Sequence, residues 1–315
     1  MKTLGYTVGL LLLLLSACTL NSSSVLVDLG LITPTPTPDP YRHYRSSLQP
    51  WAGMDIEKLP SLIRYHITAR LNSEQIALEG VARITIPTPP EALTIRLYPN
   101  LANYGGQMTI SQAEINGTPV NVTPVADGTA IRLPSPAPSD QASLEPAVVE
   151  LAFTTTLPGT RGQDDSNFTL FGWDGPILSL PGFFPTLAVR QDNEWVLDQP
   201  PPHGDVLFNE VALYQLDLTL PGDMVVAAGG VTLNTIDNPD GSRTWQIVGG
   251  PLRDMSVVAG PFQTVSETAA GAVVKVFYLP EHEAAGRAVL AHAAASLRLY
   301  SELYGTYPYT ELDVV

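Results

Sequence analysis

Alternating apolar and polar positions predict a series of β-strands between residues 60 and 260. The clearest is residues 214–220, where the even positions are apolar and the odd positions polar, as in a strand with one buried face. Period-two patterning or β-branched enrichment also marks residues 65–71, 82–86 and 148–155. Turn-forming residues lie between such segments at Asn116-Gly117, Asp127-Gly128 and residues 238–241. Many short strands without helices between them predict an all-β sandwich or saddle-shaped sheet domain.

The pattern changes after residue 272. Residues 273–278 are apolar on both faces and predict a buried strand. Pro280 and Glu281 then open a predicted helix that Gly305 ends. Its apolar positions are Val289, Leu290, Ala293, Leu297, Tyr300 and Leu303. Residues 311–315 predict a further strand, and such a unit needs more layers to bury its faces, so we interpret the sequence as the front part of a longer protein or a truncated gene product.

The N-terminus has the pattern of a processed export signal. Lys2 precedes an apolar stretch at residues 4–15, which is too short to span about 30 Å of hydrocarbon as a helix. Residues 15–18 read LSAC and resemble the lipobox of bacterial lipoproteins, in which the cysteine is acylated and becomes the first residue. Cys18 is the only cysteine of the chain. We therefore expect a lipid-anchored, extracytoplasmic protein, and the alternative is an ordinary secretory signal cleaved nearby.

Alternating proline at residues 33–40 predicts a semi-rigid, extended spacer after this signal. The folded part is expected to begin between Tyr41 and Pro60. The net charge of the chain bears on its partners. With 31 acidic and 16 basic residues, the chain has a net charge of −15. A protein of this charge lacks the basic surface that nucleic-acid binding requires, so nucleic acid is not an expected partner.

Residues 299–315 (LYSELYGTYPYTELDVV) resemble the segment that leads into the catalytic domain of the membrane alanyl aminopeptidase family of zinc metallopeptidases. Upstream residues are similar to the N-terminal β-domain of bacterial members, and the resemblance covers roughly residues 62–315. The upstream segments are residues 184–189, Trp195, residues 203–205, Phe208, residues 214–221 and residues 227–230.

The resemblance implies a mainly β fold in which a saddle-shaped β-sandwich precedes the truncated start of a thermolysin-like α+β catalytic domain. On this basis the chain divides into a signal peptide with its lipobox, a Pro/Thr/Ser-rich tether, an all-β N-terminal peptidase domain and the incomplete start of the catalytic domain. The expected bounds are 1–18, 19–50, 51–265 and 266–315.

The zinc chemistry of that family lies outside this sequence. Its His-Glu-x-x-His motif places two imidazoles one helical turn apart on zinc, with the glutamate as general base. His282-Glu283 begins such a motif, but Gly286 stands at the place of the second histidine. His292 is about 280° around the helix from His282, so the two do not share a face. We expect no metal site in this chain, zinc in the complete protein, and no catalysis by the chain alone.

One aromatic-rich stretch is a candidate rim for a substrate cleft, by analogy with the family. Its residues are Phe168, Phe171, Trp173, Phe183 and Phe184, and core packing is the more frequent role of such residues. Two further sets of polar residues are weaker candidates for a functional site. His203 with Asp205 lacks the orientation of a catalytic triad, and residues 164–167 lack the spaced ligands of a calcium loop.

The sequence thus predicts the N-terminal part of an extracytoplasmic, membrane-anchored zinc metallopeptidase that hydrolyses peptides. Its expected partners are a peptide substrate, for the complete protein, and the membrane through lipidated Cys18. The alternatives are a non-catalytic surface lipoprotein with a β-sandwich binding module, and a pseudo-peptidase that keeps the fold without the zinc ligands.

Overall fold

A computed structural model gives the structure of the protein and describes residues 39–59, 61–135, 146–159, 170–201 and 203–315. The predicted lipid-attachment residue Cys18, the rim candidate Phe168 and the polar residues 164–167 lie outside the described residues. None of the helices in the described ranges combines the length and hydrophobicity that crossing a membrane requires.

Strands make up most of the regular structure. Strands β1 to β11 are Ile63–Asn72, Ala77–Ile86, Leu93–Arg96, Gln107–Ile115, Thr118–Pro119, Thr123–Val125, Ala130–Leu133, Ala147–Thr156, Gly172–Asp174, Ile177–Ser179 and Thr186–Leu187. Strands β12 to β21 are Arg190–Gln191, Glu194–Trp195, Ala212–Pro221, Val225–Ala228, Val231–Asp237, Ser242–Leu252, Val257–Gly260, Gln263–Ala269, Ala272–Tyr278 and Glu311–Val314. This confirms the predicted mainly β fold.

Helices are fewer than strands in the described part of the chain. The two α-helices there are α1 (Pro50–Gly53) and α2 (Glu283–Tyr304). Short 3₁₀ turns occupy Tyr44–Ser47, Ile56–Lys58, Tyr98–Asn100, Ala126–Gly128 and Pro280–His282. Helix α2 ends at Gly305, whose φ of 107° is one that residues with a side chain rarely adopt, as the sequence predicts.

The largest sheet has eight strands in the order β16-β17-β14-β1-β2-β8-β4-β5. Neighbouring strands are antiparallel except β1 and β14, which run parallel with Tyr65 opposite Tyr214. Two four-stranded sheets, β15-β18-β10-β9 and β11-β3-β7-β6, accompany it. Buried side chains from all three sheets form one hydrophobic core, as in a β-sandwich.

The local predictions hold where side chains alternate or turns need special backbone angles. In β14 the side chains at positions 214, 216, 218 and 220 are buried and those at 215, 217 and 219 are partly exposed. At the β4–β5 turn Asn116 and Gly117 have φ of 52° and 75°. Asparagine and glycine tolerate such angles better than other residues, which explains why the turn could be predicted.

The C-terminal unit is a three-stranded sheet, β19-β20-β21, with α2 connecting the parallel strands β20 and β21. Its small core contains Val274, Val276, Leu290, Ala294 and Leu297 among its buried residues. Two expectations differ from the structure. Strand β20 exposes Val273, and helix α2 leaves its predicted apolar positions Val289, Tyr300 and Leu303 exposed, because this unit covers only one face of each element.

Residues 44–49 form an N-terminal strap that contacts both parts of the fold. Tyr44 and Leu48 pack against Leu213 and Val248 of the large sheet. The Gln49 N–H donates to the carbonyl of Pro308 at 2.8 Å, and its side-chain amide donates to the carbonyls of Gly271 at 2.7 Å and Tyr309 at 3.1 Å. The strap falls within the predicted tether 19–50, and burial of its aromatic and aliphatic side chains accounts for its folding.

Candidate functional site

A cavity of about 270 Å³ lies between the end of β15 and strand β21. Its walls are mostly apolar and come from the strap, the β15–β16 turn, β17, β18 and the C-terminal strand. The residues that the following argument uses are Ala227, Ala228, Tyr307, Tyr309, Glu311 and Asp313.

Two carboxyl groups face this cavity from β21. Glu311 and Asp313 are two residues apart on the strand, so their side chains lie on the same face. Lys275 lies opposite Asp313 in the β20–β21 register, and its Nζ is 2.8 Å from Oε1 of Glu311. The lysine therefore forms its ion pair with Glu311.

Asp313 connects β21 to the β-sandwich. Its Oδ2 accepts a hydrogen bond from the N–H of Ala228 at 3.3 Å, at the end of β15. Its Oδ1 is buried and has no hydrogen-bond partner among the described residues. Burial, and second the negative charge of Glu311, raise the pKa of Asp313 to about 7, against an opposing effect of Lys275. This carboxyl group therefore changes its charge near neutral pH.

Two tyrosines complete the wall beside β21. The hydroxyl of Tyr309 donates to the carbonyl of Pro251 at 2.6 Å, and the rings of Tyr307 and Tyr309 meet edge to face with 5.4 Å between centroids. Burial raises the pKa of Tyr307 to about 12, with smaller effects from Tyr309 and Asp313. Because both rings stay neutral, the titratable chemistry near neutral pH at this wall comes from Asp313.

The residues present do not fit a zinc ion. Among the described residues, no three His, Cys, Asp or Glu side chains come together as metal ligands. His282 and His292 are exposed at separate places on the helical segment. An ideal Cβ at Gly286 would lie 2.5 Å from Cδ1 of Tyr278, so the position of the missing second histidine has no room for a side chain. No step of a hydrolysis is therefore assigned to this chain.

The structure places three of the predicted rim residues in the hydrophobic core. The ring centroids of Phe171 and Tyr104 are 4.8 Å apart, and those of Phe183 and Phe184 are 5.0 Å apart. All three are at most 2% exposed, and none lines the cavity beside β21. Trp173, on β9, is partly buried and packs against the same core.

Hydrogen bonds with buried tyrosine hydroxyl groups hold the segment 181–187, which contains Phe183 and Phe184, against the core. Tyr104 donates to the carbonyl of Pro181 at 2.5 Å, and Tyr65 accepts from the N–H of Leu187 at 3.0 Å. These bonds satisfy backbone groups of a loop that the core covers, so the phenylalanines between them point into the sandwich. Sequence patterning cannot supply these long-range bonds.

His203 and Asp205 lie in an exposed part of the loop before β14. Asp205 contributes to the raised pKa of Asp254, although burial of Asp254 is the main cause. Sequence reasoning missed Asp313, for which a signal did exist. Two acidic residues at alternate positions of an otherwise apolar strand would share one face, and such a pair marks a position where the pKa of a carboxyl group is raised.

No protein-family model matches the chain, and no curated protein matches it. Solved structures do match. The fold of this chain is similar to that of the matched part of M1 zinc metallopeptidases. The M1 zinc metallopeptidase from Deinococcus radiodurans superposes with a TM-score of 0.52 at 16% identity, over 80% of this chain and 54% of that chain. The glutamate-to-alanine mutant of that enzyme, bound to a Tyr-Ser-Ala substrate, superposes with a TM-score of 0.51 at 16% identity, again over 80% of this chain and 54% of that chain. A mutant of a two-domain M1 zinc metallopeptidase bound to L-tryptophan superposes with a TM-score of 0.53 at 16% identity. This match covers 80% of this chain and 56% of that chain.

The chain thus spans about half the length of the solved structures it matches. The match confirms the fold that the sequence resemblance implies.

Proposed function

We propose that this chain is the N-terminal part of an extracytoplasmic zinc metallopeptidase of the aminopeptidase type, anchored to the membrane by a lipid on Cys18. The observation that carries the proposal is the structural match, which covers 80% of this chain but only 54% of the neighbouring enzyme. Residues 299–315, which resemble the entry to a catalytic domain, support the same interpretation.

The contribution of this chain is structural. The β-sandwich would form one wall of a peptide cleft, and β20, α2 and β21 would begin the domain that holds the metal. Zinc, when bound in the complete protein, would activate water for attack on a peptide carbonyl. A peptide is the proposed substrate because the neighbouring enzyme was solved with Tyr-Ser-Ala.

Reading the coding DNA beyond codon 315 tests the catalytic part of the proposal. In the family that this sequence resembles, a Gly-x-Met-Glu-Asn motif holds the amino end of the substrate. We expect such a segment followed in frame by His-Glu-x-x-His, and zinc-dependent hydrolysis of peptide substrates by the complete product. A stop codon or an unrelated sequence would reject this function and leave the surface binding module. A continuation with the fold but without the ligands would instead indicate a pseudo-peptidase.

Metabolic labelling with a fatty acid tests the anchor separately. The wild-type chain should incorporate the label and sediment with membranes, because the acyl chains bury their methylene groups in the bilayer. Cys18→Ser removes the thiol and should abolish labelling. Equal labelling of both forms would reject lipidation at Cys18.

A further inference from the structure

The contact between Asp313 and Ala228 links the two parts of the fold across the cavity. Strand β21 is at the edge of its sheet, where β20 is its paired neighbour. On the side of the β-sandwich, the Asp313 carboxyl group accepts one hydrogen bond and keeps a second, buried oxygen without a partner among the described residues. The charge of this carboxyl group therefore affects how firmly β21 is held.

Burial, the negative charge of Glu311 and a hydrogen bond with the Glu311 carboxyl group favour the uncharged form of Asp313, whereas Lys275 and the Ala228 N–H favour its ionised form. On its own strand Glu311 repels a second negative charge, and on β20 Lys275 pairs with Glu311 at 2.8 Å. The loop before β21 contributes Tyr307, whose pKa is raised. The strap, β15 and the β18 region line the cavity with the uncharged residues Ser47, Ala227, Ala228, Ser256 and Val258.

An ionised Asp313 would thus be a partly buried charge whose neighbouring lysine, Lys275, is already paired with Glu311. Such a charge costs free energy unless it is paired or the site opens to water, whereas a protonated carboxyl group is tolerated much better. We propose that Asp313 is a proton-controlled latch between β15 and β21, which is firmly closed when protonated and opens more readily after ionisation. The latch is a property of this chain and does not depend on the proposed peptidase function.

The direction of the pH effect follows from linkage. In the closed junction the pKa of Asp313 is about 7, and in the open, hydrated junction it returns toward the ordinary value of about 4. The raised pKa means that the closed form binds the proton more tightly. The opening constant should therefore rise about tenfold per pH unit between about pH 4 and 7, and level off above pH 7.

Hydrogen exchange of the 315-residue chain, corrected for intrinsic exchange rates, measures this opening. We expect the protection factors of the Ala228 amide and of the β21 amides to fall with that slope, while β1 and β14 show no such trend. A ¹³C titration of the Asp313 carboxyl group should have a midpoint near pH 7. A midpoint near pH 4 would overturn the proposal.

Three variants separate the latch from other pH effects. Asp313→Asn keeps an acceptor for the Ala228 N–H but cannot ionise, so protection should become independent of pH. Glu311→Gln removes the like charge and should move the carboxyl midpoint below that of the wild type. The exposed Asp223→Asn is the control and should keep the wild-type slope. If the protection factors of Asp313→Asn keep the wild-type dependence on pH, the latch is contradicted. If that variant fails to fold, the carboxyl titrations of the wild type and of Glu311→Gln test the proposal instead.

Discussion

At the scale of the residue, Gly286 sets how closely helix α2 approaches strand β20. Its Cα faces the ring of Tyr278, and an ideal Cβ would lie 2.5 Å from Cδ1 and 2.7 Å from Cγ of that ring. These ring atoms lie near the base of the side chain, so the tyrosine cannot move aside cheaply. The helix accepts glycine here although alanine is the better helix former by about 1 kcal/mol.

Gly286→Ala should therefore lower the free energy of unfolding, by about 1 kcal/mol net, because overpacking costs about 1–3 kcal/mol and the gain in helix propensity offsets part of it. Urea denaturation measures the change. In a Tyr278→Ala background the steric conflict is absent, and the same substitution should stabilise the chain by about 1 kcal/mol. The same sign in both backgrounds would show that Tyr278 is not the cause.

At the scale of the element, the outward face of the large sheet is held by a polar cross-strand cluster. The imidazole of His66 on β1 lies 2.8 Å from Oδ2 of Asp217 on β14, and Gln246 on β17 donates to Oδ1 at 3.2 Å. The hydrogen bond with His66 is the main cause that lowers the pKa of Asp217, ahead of a smaller contribution from Gln246. These three strands are neighbours in the sheet, so the cluster ties the parallel pair to the next strand.

A lowered pKa means that the folded protein favours the charged form of Asp217. Its contribution to stability is thus present above the ordinary aspartate pKa of about 4 and is lost as the pH falls through the lower folded value. Asp217→Asn should reduce stability at pH 6 by less than about 1 kcal/mol, since the pair is partly exposed. Denaturant titrations at several pH values should show this difference shrinking in acid. The exposed Asp223→Asn should show no comparable trend.

At the scale of the whole molecule, the fold contains a large core in the β-sandwich and a small one under α2. The strap, the Asp313–Ala228 contact, the Tyr309–Pro251 hydrogen bond and a buried cluster of Ala227, Phe262 and Phe277 connect the two parts. A unit with few buried apolar contacts opens at a lower free energy than a large core does, so the C-terminal unit should open locally while the sandwich stays folded.

Leu290→Ala tests this division. Leu290 is 7% exposed in the small core, and its truncation should cost about 2 kcal/mol, at the lower end for a buried leucine. Hydrogen exchange should accelerate in β19, β20 and α2 and remain slow in β1 and β14. Leu299→Ala, on the exposed side of the same helix, should leave the hydrogen-exchange rates of the C-terminal unit and of the β-sandwich unchanged. Equal acceleration in the sandwich would mean that the two cores unfold as one unit.

Much of the fold could be predicted from the sequence, because the decisive signals are local. Strand β14 follows from strict alternation, the β4–β5 turn from Asn116-Gly117, and the end of α2 from Gly305. The candidate site was harder to predict. Asp313 owes its environment to Ala228 and Lys275, which come from distant parts of the chain, and one sequence does not show such pairings.

The sequence by itself determined the mainly β composition, the approximate positions of β1, β8, β14, β20 and α2, and the absence of a His-Glu-x-x-His motif from residues 1–315, since each depends on neighbouring residues. The tertiary structure alone decided that Phe183 and Phe184 fill the core, that residues 44–49 become a strap, and that Asp313 is partly buried with its Oδ1 unpaired among the described residues. These outcomes depend on which surfaces meet when the chain folds, and that is a property of long-range packing rather than of local pattern.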